Sequence, residues 1–256
     1  MLLKTYEWGN PDGQPVVLVH GVGSHAGSWR RVVEERWGKK FRIVAFDLRG
    51  HGHSGWEPPW THATYVDDLI ESVDALGLDR PDWVGRSFGG RLMLNLAARH
   101  PERIRRLALL EPVIRISAEL ARHRAEQELT GGEWNSFEEF AASRENLGPD
   151  VDLDQFKAEL ADEFDTLPDG RLKRRTSQAA VVSIFSEFAA AAPPPETLTV
   201  PAMLLYAPAF GLVTPEQVAA YRPYVQRIVE VPGLHQILTT AFDETADAVE
   251  QFLLAG

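Results

Sequence analysis

Cysteine is absent from the 256 residues, and lysine nearly so, standing only at positions 4, 39, 40, 157 and 173. Without cysteine there is no disulfide, no thiolate nucleophile and no cysteine-ligated metal. Of the 26 basic residues, 21 are therefore arginine, a bias read here as the base composition of a GC-rich genome rather than as function. Positive charge is short overall: the formal net charge is −11, which repels phosphate backbones and anionic bilayers. Neither nucleic acid nor a membrane is expected as a partner. Long apolar runs are missing too, since the stretch 179–192 is broken by Ser183, Ser186 and Glu187 and falls short of a bilayer span. Met1 to Glu7 carry no secretory pattern, so a soluble, cytoplasmic protein is expected. The composition leaves self-association into a homodimer open.

What is present is a regular alternation. Pro15–Val19, Phe41–Phe46, Pro81–Val84 and Leu107–Leu110 are short and almost continuously apolar. Such strands are buried on both faces, as in a parallel sheet covered by helices. Between them, Trp29–Trp37, Thr64–Leu76 and Arg91–His100 have helical spacing of apolar residues. Leu2–Trp8, followed by Asn10-Pro11-Asp12-Gly13, predicts an antiparallel edge strand and a turn.

The alternation stops near residue 113. Ser117–Leu129, Ser136–Asn146, Leu153–Phe164 and Leu172–Ala192 read as helices, and Pro193-Pro194-Pro195 closes the block. Strand patterning resumes at Ala202–Tyr206 and Arg227–Val231, before a last helix, Asp243–Leu253. The fold class expected is α/β: a mostly parallel, doubly wound sheet. Its discontinuous core is 1–112 with 200–256, and 113–199 is a helical lid inserted between two strands.

Three segments carry chemistry. Gly85-Arg86-Ser87-Phe88-Gly89 lies between a strand and a helix, the setting of a nucleophile elbow, in which a strained turn projects the serine hydroxyl. His20-Gly21-Val22-Gly23 follows a strand, and its backbone can approach a developing oxyanion, with Val22 N–H and Phe88 N–H as the candidate donors. Asp47-Leu48-Arg49-Gly50-His51-Gly52-His53-Ser54 follows the next strand. His51 and His53 with Asp47 are residue types that ligate metal, but the glycines mark a tight turn and Asp47 and Arg49 suit bracing of its backbone. His20, at a strand end, is expected to bond loop backbone.

These three segments, in this order and spacing, resemble the α/β-hydrolase family over the whole chain apart from the lid. The resemblance implies a serine hydrolase whose triad runs serine, acid, histidine in chain order. Ser87 becomes the nucleophile, and His235, in Pro232-Gly233-Leu234-His235 before the last helix, becomes the base. The chain departs from the family at the acid. The slot after Ala202–Tyr206 reads Ala207-Pro208-Ala209-Phe210-Gly211 and holds no carboxylate. Glu111, at the end of Leu107–Leu110, is the candidate replacement, with Glu216 and Asp243 behind it. Arg86 is expected to pair with Glu111 or Asp47 and not to touch substrate.

The implied activity is cofactor-free and metal-free hydrolysis of an apolar, small to medium carboxylic ester or lactone. Trp56, Trp60, Ile184, Phe185 and Phe188 are candidates to line the substrate pocket. Carbon–carbon hydrolysis of a dienoic diketone is the alternative, although the elbow has Arg86 where such relatives often carry asparagine. A hydrolase-fold ligand receptor with little turnover is another.

Overall fold

The structure is a computed structural model and describes residues 1–144, 147 and 151–255. The chain opens with β1 (Lys4–Gly9) and β2 (Gln14–Val19). An irregular helical stretch follows: a 3-10 turn at Ala26–Trp29, one α turn, α1 (Arg30–Val32), and a π turn at Val33–Trp37. Then come β3 (Phe41–Asp47), α2 (His62–Ala75), β4 (Asp82–Arg86), α3 (Phe88–Arg99) and β5 (Leu107–Leu110). The next segment holds α4 (Ala118–Thr130), β6 (Glu133–Trp134), α5 (Phe137–Ala142), α6 (Leu153–Glu159), β7 (Phe164–Thr166), β8 (Leu172–Arg174) and α7 (Gln178–Ala189). The chain ends with β9 (Ala202–Tyr206), α8 (Pro215–Tyr221), β10 (Arg227–Glu230), α9 (Ile237–Thr240) and α10 (Phe242–Leu254).

Seven strands form one sheet in the order β1-β3-β2-β4-β5-β9-β10. Only β1 is antiparallel, on β3 with Lys4 opposite Asp47; the other pairings are parallel. The apolar strands divide by parity, because successive side chains point to opposite faces. Val17, Val19, Trp83, Leu107 and Leu109 join a core with α2 and α3. Val16, Leu18, Val84, Ala108 and Leu110 join a second with Trp29, Trp37 and Phe252. The near-continuous apolar runs therefore reflect burial on both faces, as expected. Among the described residues, no helix is long and apolar enough to cross a membrane.

β5 pairs directly with β9, Leu110 opposite Leu205, so residues 113–199 leave the sheet and return at neighbouring strands. Arg91, on α3, holds both crossings. Its buried guanidinium donates to the Ile114 carbonyl on the way out, and to the carbonyls of Ala190 (3.1 Å) and Ala191 (3.0 Å) on the way back.

The excursion is not purely helical, contrary to the sequence expectation. β6, β8 and β7 form a small antiparallel sheet, so the run Leu172–Ala192 splits into a strand and a helix that starts at Gln178. Strands of two or three residues are too short to establish a period-two pattern. Beneath them Phe137, Phe140 and Phe156 form a separate aromatic core. Ser136–Asn146 is helical only over Phe137–Ala142, and residues 145 and 146 lie outside the described residues. The excursion is stitched to the loop after β3, where Gly52 N donates to Arg175 O (2.8 Å) and Ser177 N to Gly50 O (2.8 Å).

Candidate active site

β4 ends at Arg86 and α3 begins at Phe88, leaving Ser87 alone in the turn with φ 55° and ψ −110°. Serine at a helix N-cap ordinarily bonds the first turn, but this hydroxyl makes no capping bond and is free for another partner. The strained turn is held from several sides. Ser87 N donates to Leu110 O (2.9 Å), and Ser87 O accepts from Arg91 N and Val113 N, both at 3.1 Å. Glycines make room for it: a Cβ on Gly89 would strike the Val19 carbonyl, and one on Gly90 would lie 2.7 Å from Pro112 Cβ. Gly89→Ala is expected to destabilise the fold by roughly 3 kcal/mol, as overpacking against backbone does, read as a lower urea midpoint.

His235 reaches this hydroxyl, with Nε2 2.9 Å from Ser87 Oγ. Its loop is fixed by Thr240, whose Oγ1 accepts from Leu234 N (3.0 Å) and fills the space beside Gly233 at φ +100°. Phe210, standing in the empty acid slot, stacks on the imidazole with centroids 5.0 Å apart and planes at 21°. Burial holds the imidazole down to about 3, assisted by the positive charges of Arg86, Arg144 and Arg124. The ring is therefore neutral, the form that can accept a proton.

Glu111 is fully buried at the end of β5. It and Ser87 are the only non-glycine residues with positive φ among the described residues, Glu111 at 45°. Strain of this kind persists only where the surroundings over-determine it and concentrates at functional sites. Oε2 accepts from Ala207 N (2.6 Å), and Glu111 N donates to Leu205 O (2.7 Å). Oε1 is buried without a partner, and so is His235 Nδ1. These two orphan atoms are complementary, an acceptor and a donor, but no hydrogen bond joins them here. Burial pushes the Glu111 carboxyl up to about 7 against the pull of the Ala207 amide. The other two candidates face water: Glu216 is exposed on α8, and Asp243 pairs with Arg36 (2.7 Å) with its side chain 80% exposed.

Gly21 and Val22 line the space above Ser87. Among the described residues, neither the Val22 nor the Phe88 amide is engaged in a turn or loop hydrogen bond. Phe88 N also lies at the positive end of α3. Phe88's ring packs against Tyr65 at 5.0 Å and Phe188 at 5.7 Å, which fixes the amide's position. The histidines of the neighbouring loops brace backbone, as expected of His20. His20 bonds Gly21 O (2.7 Å) and Leu48 N (3.0 Å), and His51 Nε2 accepts from Gly23 N (3.0 Å). Asp47 accepts from the amides of Ala26 and His53 at 2.9 Å, while His53 meets Arg175 at 2.7 Å. Among the described residues, no three His, Asp or Glu side chains converge as metal ligands.

Ser87 and His235 open into a cavity of about 480 Å³ between the sheet and the excursion. Of the candidate pocket residues, Phe185 and Phe188 line this cavity; Trp56, Trp60 and Ile184 do not. Trp56 is 40% exposed, and Ile184 turns into the core beneath α7. Arg86 also departs from expectation. It bonds the neutral Gln236 side chain rather than Glu111 or Asp47, and it lines the cavity with Arg124, Arg144 and Arg174.

The sequence profile of the alpha/beta hydrolase fold matches residues 14–182. The chain belongs to this family. Over 188 residues, 73% of the chain and 71% of the relative, this α/β hydrolase is 32% identical to "Lipase LipV" of Mycobacterium tuberculosis. It is 39% identical to the 2-hydroxymuconate semialdehyde hydrolase of a Pseudomonas species, but over 104 residues that span 38% of the chain and only 36% of that enzyme. Among solved structures it superposes on the enol-lactonase of Burkholderia xenovorans with a TM-score of 0.81 and 25% identity, covering 99% of this chain and 96% of that one.

Within this α/β hydrolase, the sequence did not reveal the cavity's arginines or the role of Gln236. Four arginines at 86, 124, 144 and 174 come from the elbow and from three places in the excursion, with no spacing that a motif could register. The one available signal was the arginine excess.

Proposed function

We propose that this α/β hydrolase is a serine hydrolase that cleaves a carboxylic ester or lactone through an acyl-enzyme. The observation that carries the reading is the 2.9 Å approach of His235 Nε2 to Ser87 Oγ, with that hydroxyl free of any helix-capping bond. His235 takes the hydroxyl proton as Ser87 attacks the carbonyl carbon. The Val22 and Phe88 amides receive the oxyanion; one such donor contributes about 3 kcal/mol of barrier lowering in serine hydrolases. His235 then passes the proton to the leaving oxygen, and water activated by the same ring releases the acid.

The weak basicity of the buried imidazole gives Glu111 its part. An imidazolium so close to Arg86 and Arg144 needs an anion on its other nitrogen. Glu111 Oε1 and His235 Nδ1, both buried and unpartnered, are the atoms to make that bond as charge develops. The 113–199 segment acts as a lid, closing the cavity from water and setting its shape.

The likeness to a lipase and an enol-lactonase supports oxygen-ester or lactone chemistry. The likeness to 2-hydroxymuconate semialdehyde hydrolase supports a second reading, carbon–carbon hydrolysis by the same residues. A fluorophosphonate probe tests the shared nucleophile. One adduct per chain is expected, mapped to Ser87 by peptide mass; an unlabelled protein, or a label elsewhere, defeats the reading. A panel of aryl esters and lactones then separates the two chemistries.

A further inference from the structure

The cavity above Ser87 is cationic in a chain of net charge −11. Arg86, Arg124, Arg144 and Arg174 line it against two acids, Glu128 and Glu163. Arg174 is committed to the Gly23 carbonyl, and Arg124 has partners of its own. Arg86 and Arg144 are differently placed. Arg86 is 8% exposed, donates to the uncharged Gln236 side chain, and buries its Nε without an acceptor. Arg144 lies over the Phe140 ring at 5.2 Å, and its Nε is also buried without an acceptor.

Among the described residues, neither guanidinium forms an ion pair. Burial depresses both, Arg144 to about 10. Glu163 acts on both through space, with Glu159 on Arg86 and Glu128 on Arg144, but a buried guanidinium with no bonded anion remains unfavourable unless something else neutralises it. Both arginines also act electrostatically on His235, which puts them near the reacting atoms. A planar guanidinium with free donors matches a carboxylate in shape and charge.

We infer that the substrate carries a second, free carboxylate, received by Arg144 and Arg86 while Ser87 engages the scissile carbonyl at its other end. This rests on the serine-hydrolase reading and replaces the apolar substrate expected from sequence. Phe185, Phe188 and Val113 remain as walls for the carbon chain between the two ends.

The test compares 4-nitrophenyl esters of equal chain length, the monoester of glutaric acid and the ester of valeric acid. The glutarate monoester is expected to have a kcat/KM roughly 20-fold higher, mostly through KM, as a charge-assisted hydrogen bond of ordinary strength gives. Arg144→Gln should collapse that ratio towards one, and Arg144→Lys should restore part of it. Calorimetry on Ser87→Ala supplies a readout free of catalysis: glutarate should bind, valeramide should not, and Arg144→Gln in that background should abolish binding. A preference for the valerate ester, or a Ser87→Ala protein blind to glutarate, overturns the inference while leaving serine chemistry intact. If glutarate binds through Arg144 but Ser87 takes no fluorophosphonate, the anion site stands and the hydrolase reading fails.

Discussion

Ser87→Ala lowers kcat by five to six orders of magnitude, on the order of the loss seen when a serine hydrolase loses its nucleophile, and it does so without unfolding the protein. The second half of that expectation follows from the turn itself. Ser87 is held at φ 55° by hydrogen bonds of its backbone to Leu110, Arg91 and Val113, and alanine keeps every one of them. The lost contact is the single 2.9 Å hydrogen bond to His235, worth about 1 kcal/mol to stability. Burst and steady-state kinetics with an activated ester, beside a thermal melt, measure both. Retention of more than about 1% of kcat, far above the residual catalysis left to binding and the oxyanion amides, would remove Ser87 from the chemistry.

Glu111→Gln is expected to have two effects of opposite sign. Activity should fall by about three to four orders of magnitude, as when the carboxylate of a triad becomes an amide. Stability at pH 8 should rise by on the order of 2 kcal/mol. The sign follows from the upward shift from 4.5 to about 7. The folded protein holds this proton more tightly than the unfolded chain, so the stabilising contribution is complete below about 4.5 and is lost as pH rises through about 7. Above pH 7 the native protein carries a buried, half-partnered carboxylate that the amide variant lacks. The difference in urea midpoint between the two should therefore vanish towards pH 4. The kcat/KM of the unmodified enzyme should rise with pH through about 7 as Glu111 ionises. Glu216→Gln and Asp243→Asn, both at exposed positions, should change neither quantity.

The sheet was legible because its central strands sit between two helical layers and are almost continuously apolar: Leu107–Leu110 and Ala202–Tyr206 begin and end where the sequence placed them. The start of α3 was harder to see, since Phe88-Gly89-Gly90 are poor helix formers held in place by the close approach of Val19 and Pro112. In the site, Ser87, His235 and the carboxylate vacancy at Phe210 could be read from motif order. What could not be read was the use of that vacancy, because the ring stacking of Phe210 on His235 is a tertiary contact between separate loops. The same holds for Arg86: its neighbour in sequence is Ser87, but its hydrogen-bond partner is 150 residues away.

Arg91 gives the fold a mechanical consequence. One guanidinium grips the chain at Ile114 and again at Ala190 and Ala191, while its own backbone amide donates to the Ser87 carbonyl. Displacement at either anchor would pull on the turn that carries Ser87, so the two crossings and that turn are tied to one helix. The stretch between the anchors still touches the centre, through Arg174 on the Gly23 carbonyl and Phe188 on the Phe88 ring, so a change of sequence there is transmitted to both the loop after β2 and the elbow.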